Sequence, residues 1–434
     1  MGLTSAIVGC GSRSVASGTS GEETVGKAPD GMLGAPHVEP NASVKPPSWF
    51  TAAPIPHDPS AILPGVVGGG IAVFAPGYGD MDVITIGTDG KPWRAGDFDA
   101  GSWADPSPAQ VEKVSPERFV PGGGVAAVSR VPDILETYAI GYDGRLWNIG
   151  TTQPVNSDWR DPFPPNPNDP ARFKPGGGIA AVSRNTSILD TFVIGSNGHL
   201  WESGAWDDTK GAWQPAFQVL GDGVFPFGGG VAAVASDANH LYTFAIGPDG
   251  HLWCAGAWDE NHWIPSYEVV SPGLAASGQP FAVGSQLAAT VRDHSVLDVW
   301  VIGPDGQLWN AGSCDVSSGA CNGAWSLPYK PSPQSDAVFK VGGGIAAVSR
   351  MPVHLDVLAI GNNQRTWEVG WWGVLCGAQG FGAGPGGCCL GLLDAVDPKG
   401  GDVCAADCGG EGQYPCVSGG CAAGFVFDEG FCVH

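Results

Sequence analysis

The sequence is poor in charged residues, and above all in cationic ones. Only 15 % of its 434 residues are charged, and 20 lysines and arginines stand against 43 aspartates and glutamates, giving a formal net charge of −23. Such a negative field repels phosphate backbones and anionic lipid surfaces, so we expect no nucleic-acid partner. No apolar run reaches 18 residues, which predicts that the chain has no transmembrane helix.

The motifs of several common enzyme classes are also missing. The sequence contains no Gly-x-Ser-x-Gly, no His-Glu-x-x-His and no phosphate-binding loop. Acidic residues are frequent, but they recur with the repeat described below, whereas the paired carboxylates of a glycosidase should stand out from a repeat. We therefore expect a protein that is not an enzyme and needs no cofactor or metal, with a glycosidase or sialidase-like activity as the less favoured alternative.

Glycine, proline and tryptophan are abundant instead. The chain has 69 glycines, 37 prolines and 17 tryptophans, and 43 % of its residues are hydrophobic. Many turn-forming residues together with many aromatic ones indicate many short strands rather than long helices. The composition therefore predicts an all-β fold.

One segment recurs six times. It reads GGGIAAVSRNTSILDTFVIGSNGHLW from Gly176, and the spacing between successive copies is 52 to 58 residues. Such a period is typical of repeat architectures, and it has to be recognised before any local pattern is interpreted. The copies begin near residues 68, 122, 176, 228, 284 and 342.

Each copy predicts four strands. The first is small and apolar, the second is rich in Val, Ile, Phe and Thr, and an Asp-Gly or Asn-Gly pair then predicts a type I′ turn with positive φ at both central residues. The sixth copy departs from this rule with Asn363-Gln364. A proline-punctuated fourth strand begins near a second tryptophan. The third strand carries a tryptophan that we expect in the core: Trp93, Trp147, Trp201, Trp253, Trp309 and Trp367.

Four antiparallel strands repeated at this period are typical of the blades of a β-propeller. The sixth copy lacks a fourth-strand tryptophan, and Trp49 stands alone before the first copy. We therefore predict that an N-terminal strand completes the last blade and closes a ring of six. A seventh, degenerate blade is the alternative, with residues 2–10 as its inner strand and its turn at residues 29–33. The predicted domains are an N-terminal tether (1–45), the propeller (46–373) and a small disulfide-rich tail (374–434).

The repeat resembles the PLL-like β-propeller lectins, the Photorhabdus-type fucose-binding family. The shared core is A-A-V-S-R followed by L-[DE]-x-x-x-I-G-x-[DN]-G-x-L-W, which stands here at Ala180–Arg184, Leu189–Gly198 and Leu200-Trp201. The resemblance covers about residues 49–373. It implies a lectin that binds L-fucose or methylated fucose-type sugars, and it implies seven blades, from which the count of six departs.

Sugar binding needs an apolar platform for the C–H face of the ring and planar hydrogen-bonding groups for its hydroxyls. The positions just beyond the third-strand tryptophan and at the end of the first strand supply both kinds of group. We therefore expect glycans or glycoconjugates as partners, held in clefts between neighbouring blades. The candidate residues are Trp206, Asp207, Trp258, Asp259, Trp371, Trp372, Arg130, Arg184, Arg292 and Arg350.

Two structural interpretations of these residues remain open. The arginines could form ion pairs with second-strand acids of the same copy, and the tryptophans could pack between blades. A protein-binding scaffold on the cell surface is a further alternative, because propellers present broad faces. The acids concerned are Glu136, Asp190, Asp298 and Asp356.

The N-terminus suggests a location outside the cytoplasm of a bacterium. Ile7-Val8-Gly9-Cys10 has the form of a lipobox, followed by a Gly/Ser-rich tether. The stretch before it is short for a signal peptide and lacks a basic region, so a chance match is the alternative. We predict lipidation at Cys10 and a secreted or cell-surface lectin.

Twelve cysteines are unevenly placed, and their distribution predicts disulfides. Eight lie in the Gly-rich tail, which could not bury enough surface to fold without cross-links. Zinc binding by the tail is disfavoured because it lacks Cys-x-x-Cys and has one histidine, His434. The predicted disulfide cysteines are Cys314 with Cys321, and Cys376, Cys388, Cys389, Cys404, Cys408, Cys416, Cys421 and Cys432 among themselves.

A thiol count tests this framework. Four disulfides in the tail plus Cys314–Cys321 leave only Cys10 and Cys254 as thiols, so titration of the unreduced protein in denaturant should find about two, or one if Cys10 is lipidated. More than about three free thiols would contradict the framework.

Overall fold

The computed structural model describes most of the repeat region and a few strands beyond it. Every regular element in the described ranges is a strand, which confirms the all-β prediction. Among these residues no helical segment is found that could cross a bilayer. The described residues are 48–49, 53–54, 65–75, 81–99, 102–104, 107–108, 119–130, 134–152, 161–208, 210–259, 262–269, 281–292, 296–318, 320–322, 325–331, 338–349, 354–372, 393–396, 402–405, 426–428 and 431–433.

The strands are short and follow one another along the repeats. Before the first repeat come β1 (Ser48–Trp49) and β2 (Ala53–Pro54). The first three repeats contribute β3 (Ile71–Phe74), β4 (Met81–Ile86), β5 (Pro92–Asp99), β6 (Ser102–Ala104), β7 (Ser107–Pro108), β8 (Val125–Val128), β9 (Leu135–Ile140), β10 (Leu146–Thr152), β11 (Ile179–Asn185), β12 (Ile188–Ile194), β13 (Leu200–Asp207), β14 (Ala212–Gln214) and β15 (Phe217–Gln218).

The last three repeats continue in the same way. They contribute β16 (Ala232–Ala235), β17 (His240–Ile246), β18 (Leu252–Asp259), β19 (His262–Ile264), β20 (Tyr267–Glu268), β21 (Leu287–Arg292), β22 (Val296–Ile302), β23 (Leu308–Ser318), β24 (Ala320–Asn322), β25 (Ile345–Val348), β26 (His354–Ile360) and β27 (Thr366–Trp372). The tail contributes β28 (Leu393–Val396), β29 (Asp402–Ala405), β30 (Val426–Asp428) and β31 (Phe431–Val433).

Each repeat forms one antiparallel sheet whose strands lie in chain order. We number these sheets 1 to 6; their first strands are β3, β8, β11, β16, β21 and β25. In sheets 1, 3 and 4 the fourth position is divided into two short strands that both pair with the third strand, as β19 and β20 pair with β18. The strands of the tail form two separate hairpins, β28–β29 and β30–β31.

The N-terminal strands complete the sheet of the last repeat. β1 pairs with β27, with Ser48 opposite Trp372 and Trp49 opposite Trp371. β2 pairs further along the same strand, where Ala53 lies opposite Glu368. Sheet 6 is therefore built from both ends of the repeat region, as the isolated Trp49 predicted.

Glycines at the start of each first strand join neighbouring sheets through backbone hydrogen bonds. An N–H from one sheet donates to a carbonyl of the next, and the last sheet donates to the first. The first strands also contact one another in sequence, and β25 contacts β3. The bonds, which we call the glycine ring, are Gly70 N to Gly122 O (2.9 Å), Gly124 to Gly176 (3.0 Å), Gly178 to Gly228 (3.1 Å), Gly230 to Gly284 (3.1 Å), Gln286 to Gly342 (3.3 Å) and Gly344 to Gly68 (3.2 Å).

The glycine ring means that the six first strands of the described residues surround a common axis. They also line a narrow central cavity together. The segments on which the alternative of a seventh blade rests, residues 2–10 and 29–33, lie outside the described residues.

The second strand of each repeat is buried on both faces because its sheet packs between two others. In β17 all seven residues are buried. Leu241 and Ala245 belong to the apolar cluster shared with sheet 3, whereas Phe244 and Ile246 belong to the cluster shared with sheet 5. Alternate residues of one strand thus enter two different cores, as a period of two requires.

The predicted type I′ turns are wrong. Of the two predicted central residues only the glycine has positive φ, as at Gly90 (φ 71°), and in the sixth copy Gln364 takes the same conformation (φ 63°). Gly90 N–H donates to Gly87 O (3.0 Å), and Gly87 N–H donates to Lys91 O (2.8 Å). This pattern fits a three-residue loop in which a type I turn precedes a left-handed glycine.

The turn aspartate or asparagine has a second role. Its Oδ1 accepts a hydrogen bond from the indole Nε1 of the third-strand tryptophan in all six repeats, for example Trp93 to Asp89 and Trp201 to Asn197, both at 3.1 Å. We predicted these tryptophans to be core residues. Only Trp147 is buried and the other five are half-buried, because the indole edge must reach the turn at the end of the sheet.

The glycine ring leaves no room for a side chain. A Cβ at Gly178 would lie 2.5 Å from the carbonyl oxygen of Gly229 in the next sheet. We expect Gly178→Ala to lower the free energy of unfolding by about 1–3 kcal/mol, because rigid backbone has to move. Chemical denaturation measures this, with Asp222→Ala on an exposed loop as a control that should change stability by less than about 0.5 kcal/mol. Equal stability of both variants would argue against the close contact.

Candidate carbohydrate-binding clefts

Two of the predicted arginines lie over predicted tryptophans of the following sheet. The guanidinium carbon of Arg184, in sheet 3, is 5.3 Å from the ring centroid of Trp258 in sheet 4. Arg130, in sheet 2, is 5.9 Å from the ring of Trp206 in sheet 3. Both distances lie within the range of cation–π attraction. We call the two places cleft 3–4 and cleft 2–3.

An acid of the second strand fixes each arginine. Arg184 Nε lies 2.8 Å from Asp190 Oδ2, and its terminal Nη2 lies 3.2 Å from Asp190 Oδ1. Arg130 pairs with Glu136 through Nε at 2.8 Å. Asp190 is only 2 % exposed, so the bidentate pair holds the guanidinium against the sheet. The predicted ion-pair interpretation is therefore correct, and it coexists with the placement in the cleft.

Strand pairing and an edge contact hold Trp258 in place. It lies opposite Leu241 in the register of β17 and β18. Trp263 of β19 packs against it edge-to-face, with ring centroids 5.6 Å apart and planes at 74°. Trp258 is half-buried, so part of its ring remains open to solvent.

Trp206 has a corresponding setting with more charge around it. Trp213 packs against it edge-to-face at 6.2 Å, and its indole Nε1 donates to Asp208. The predicted Asp207 lies 3.3 Å from Lys210 Nζ. The ring is half-buried, so cleft 2–3 is lined by an arginine, an indole and acids.

Asp259 belongs to a small polar group beside Trp258. His240 Nε2 lies 3.3 Å from Asp259 Oδ1, and His240 Nδ1 lies 2.9 Å from Asp237. Burial tends to raise the pKa of Asp237, but hydrogen bonds from Asn239 N–H and from His240 outweigh it and lower the pKa. His240 thus links two acids at the rim of cleft 3–4.

The other predicted residues are only partly described. Arg292 pairs with the fully buried Asp298, as the ion-pair interpretation states. Trp371 and Trp372 lie in β27 opposite Trp49 and Ser48, and their side chains lie outside the described residues. Arg350 also lies outside them.

Strand register identifies the positions equivalent to Trp206 and Trp258. Each lies on the third strand opposite a buried Leu or Met of the second strand. In sheet 5 this position is Cys314, whose predicted disulfide with Cys321 is confirmed, so that position carries no aromatic platform. The six equivalent residues are Phe98, Thr152, Trp206, Trp258, Cys314 and Trp371.

A buried glutamate that the sequence analysis missed lies behind cleft 3–4. Glu202 is 6 % exposed. Burial, followed by the nearby charge of Asp190, raises its pKa to about 8. Burial also raises the pKa of Asp190, against the opposing effect of Arg184. Strand pairing alone brings two acids beside one arginine here, and the repeat motif gave no signal of it.

Cys254 is a free cysteine with a structural character. Cys254 lies on β18 at the position that Glu202 occupies on β13, and it is fully buried. Burial raises the pKa of its thiol to about 12, so this thiol is protonated and unreactive at neutral pH.

Lectins are among the solved structures that are similar to this one. The BP39L lectin from Burkholderia pseudomallei aligns with a TM-score of 0.52 and 22 % identity, over 70 % of this chain and 83 % of that protein. AofleA from Arthrobotrys oligospora, as a mutant with three arginines replaced by alanine, aligns with a TM-score of 0.54 and 15 % identity, over 74 % and 86 %.

A third similar structure is the Aleuria aurantia lectin, described as a six-bladed β-propeller with a novel mode of fucose recognition. It aligns with a TM-score of 0.50 and 16 % identity, over 70 % of this chain and 92 % of that lectin. No protein-family model and no curated protein matches the chain. These likenesses establish the β-propeller fold.

The raised pKa of Glu202 makes stability depend on pH. Between its ordinary value of 4.5 and about 8, the folded chain keeps a proton that the unfolded chain releases, so the free energy of unfolding falls as pH rises through this window. In Glu202→Gln this contribution is absent, and its Tm should fall less than that of the wild type between about pH 5 and pH 8. Thermal melts across this range test it, with exposed Asp222→Asn as control. Parallel pH profiles for wild type and Glu202→Gln would contradict it.

Proposed function

We propose that the protein is a carbohydrate-binding lectin, a six-bladed propeller that holds fucose-type sugars in clefts between its blades. Each working cleft consists of an arginine and its acid from one sheet and an aromatic ring from the next.

The joint occurrence of the arginine and the aromatic ring carries the proposal. Four junctions between consecutive sheets have both residues, and two junctions have neither. If each arginine acted only within its own sheet, its presence would not be expected to correlate with an aromatic residue in the next sheet. The pairs are Arg130 with Trp206, Arg184 with Trp258, Arg292 with Trp371 and Arg350 with Phe98, whereas the other two positions hold Pro76 with Thr152 and Ser236 with Cys314.

In sheet 1 the buried acid has an ion-pair partner although the cleft arginine is absent. Its second-strand acid, Asp82, is buried but pairs with Arg94 on the third strand, Nε to Oδ1 at 2.6 Å. The equivalent of the cleft arginine is Pro76. A buried acid can therefore form its ion pair with an arginine of another strand. Because the ion pair alone does not require an arginine at the end of the first strand, we assign that arginine a second role in the cleft.

The chemistry of the cleft matches that of a deoxy sugar. The C–H face and methyl group of fucose would lie on the indole ring, which offers a large apolar surface. The bidentate ion pair engages Nε and Nη2 of Arg184 with Asp190. A guanidinium carries five N–H donors, so some of them remain free to donate to the hydroxyl oxygens of the sugar. Carboxylate oxygens can accept hydrogen bonds from the sugar hydroxyls.

The similar structures support the same ligand class. The Aleuria aurantia lectin is described with fucose recognition, and AofleA was studied with three arginines removed. Arginines recur here with the repeat, which is consistent with a comparable use. The finer assignment to the PLL-like lectins rests on the sequence motifs A-A-V-S-R and L-[DE]-x-x-x-I-G-x-[DN]-G-x-L-W.

We further infer a secreted or cell-surface location. The Cys314–Cys321 disulfide supports this, because disulfides persist in oxidising compartments. Lipidation of Cys10 and cross-linking of the eight tail cysteines remain predictions of the sequence. Cys10 and most of the tail lie outside the described residues.

Replacing the platforms tests the proposal. Trp206→Ala and Trp258→Ala should each weaken binding of methyl α-L-fucoside at their own cleft by roughly 10- to 30-fold, since loss of an aromatic anchor costs about 1.5–2 kcal/mol. Isothermal titration should show one strong site fewer for each variant, and a glycan array should show a weaker fucose signal for the double variant.

Thr152→Ala is the matched control, because it changes the equivalent third-strand position at a junction that has no arginine. Its titration should equal that of the wild type. If Trp206→Ala and Trp258→Ala also bind like the wild type, the two residues are not part of the site. A pull-down partner that free fucose does not displace would favour the protein-binding scaffold.

A further inference from the structure

The turn end of sheet 4 gathers three metal-ligating side chains that the sequence does not place together. Asp249 lies in the turn between β17 and β18, His251 precedes β18, and Glu268 lies on β20 opposite Trp253. Their ligand atoms all lie within 4.8 Å of one another. They are about 20 Å from Trp258 at the far end of β18, because six residues of extended strand separate the two ends.

The separations suit coordination by one ion. His251 Nδ1 lies 2.6 Å from Glu268 Oε1 and 3.7 Å from Asp249 Oδ2. Ligands of a tetrahedral zinc ion stand about 3.4 Å apart when each bond is about 2.1 Å. The three atoms thus reach this spacing by shifts of less than about 1 Å, and their side chains, each 37–40 % exposed, are free to make them.

One ligand is already oriented by its neighbours. Asp249 Oδ1 accepts the backbone N–H of His251 at 3.0 Å, and the indole Nε1 of Trp253 lies 3.2 Å from Oδ2. Hydrogen bonds of this kind hold a carboxylate in one orientation, as the outer shell of a metal site does.

Sheet 3 has uncharged amides at two of the equivalent positions, where Asn197, His199 and Gln218 stand. His199 Nδ1 there lies 3.0 Å from Gly223 O, whereas Asn197 Nδ2 donates to Gln218 Oε1 at 2.7 Å. Two amides satisfy each other in this way. In sheet 4 carboxylates, which only accept, replace both amides, so either His251 or a bound cation has to stand between them.

Other turns of the described residues obtain this charge from the chain itself. Asp305 in sheet 5 has Lys330 Nζ at 2.6 Å, and Asp143 in sheet 2 has Arg145 Nε at 3.7 Å. Asp249 instead faces an imidazole and a second carboxylate. This substitution of a lysine by a histidine and an acid points to an external cation.

We propose that Asp249, His251 and Glu268 bind a divalent transition metal, with water completing the coordination. An imidazole nitrogen with two carboxylate oxygens is a donor set suited to Zn²⁺, whereas Ca²⁺ and Mg²⁺ take oxygen ligands. The bound ion would join the turn to the outer strand β20.

Zinc titration of the full-length, unreduced chain tests the proposal, with Asp249→Asn/Glu268→Gln as the variant. This variant copies the side chains that sheet 3 already uses, and its Tm without zinc checks that it folds. Isothermal titration near pH 7.5 should give one Zn²⁺ equivalent fewer than for the wild type. Any sites in the Cys-rich tail are common to both proteins and cancel in the comparison.

The reverse substitutions in sheet 3 test whether a zinc site can be gained. Asn197→Asp/Gln218→Glu, introduced into the zinc-deficient variant, should restore one equivalent at sheet 3. Equal zinc stoichiometry of wild type and Asp249→Asn/Glu268→Gln would overturn the proposal and leave a simple His251–Glu268 ion pair. A transplanted pair that binds no Zn²⁺ would overturn the claim that these side chains suffice.

Discussion

Close contact between backbones at the centre fixes the rest of the molecule. Each first strand donates an N–H to the glycine carbonyl of the next, and a Cβ at Gly344 would lie only 2.0 Å from Gly69 O. Because the first strands meet so closely, the sheets have to diverge outward as they leave the axis. The wedges between them are filled by Leu, Ile, Val and Phe in the interior. Toward the end opposite the turns, they become the clefts.

Under the proposed function, the arginine–acid pair combines a structural role with a role in the cleft. A buried carboxylate such as Asp298, which is fully buried, would destabilise the sheet without a partner. The arginine satisfies it from the end of the first strand, where the guanidinium also reaches the next sheet. The side chain that stabilises one blade is therefore held rigidly over the aromatic ring of its neighbour. Such preorganisation lowers the entropy that a ligand has to overcome on binding.

The sequence predicted those features that repeat. The six copies predicted the order of strands and the closure of sheet 6 by Trp49, because one period determines all equivalent positions. They also made Arg184 and Trp258 candidate cleft residues, but they did not predict that the two side chains meet. The turn type was wrong because Asp-Gly is compatible with a two- or three-residue loop, and only the cross-strand register distinguishes them. Glu202 and the Asp249–His251–Glu268 group were missed because they depart from the repeat. Their partners are brought near by strand pairing, which no local pattern encodes.

Completion of sheet 6 by β1 and β2 has a consequence for how the chain is made. The strand that β1 pairs with, β27, is synthesised more than 300 residues later. At translation rates of 5–20 residues per second, the N-terminal strand waits roughly 15–65 s for its partner. Until then the nascent chain is an open arc with unpaired edges at both ends, and a ribosome-bound or exported intermediate has to be protected from aggregation at these edges.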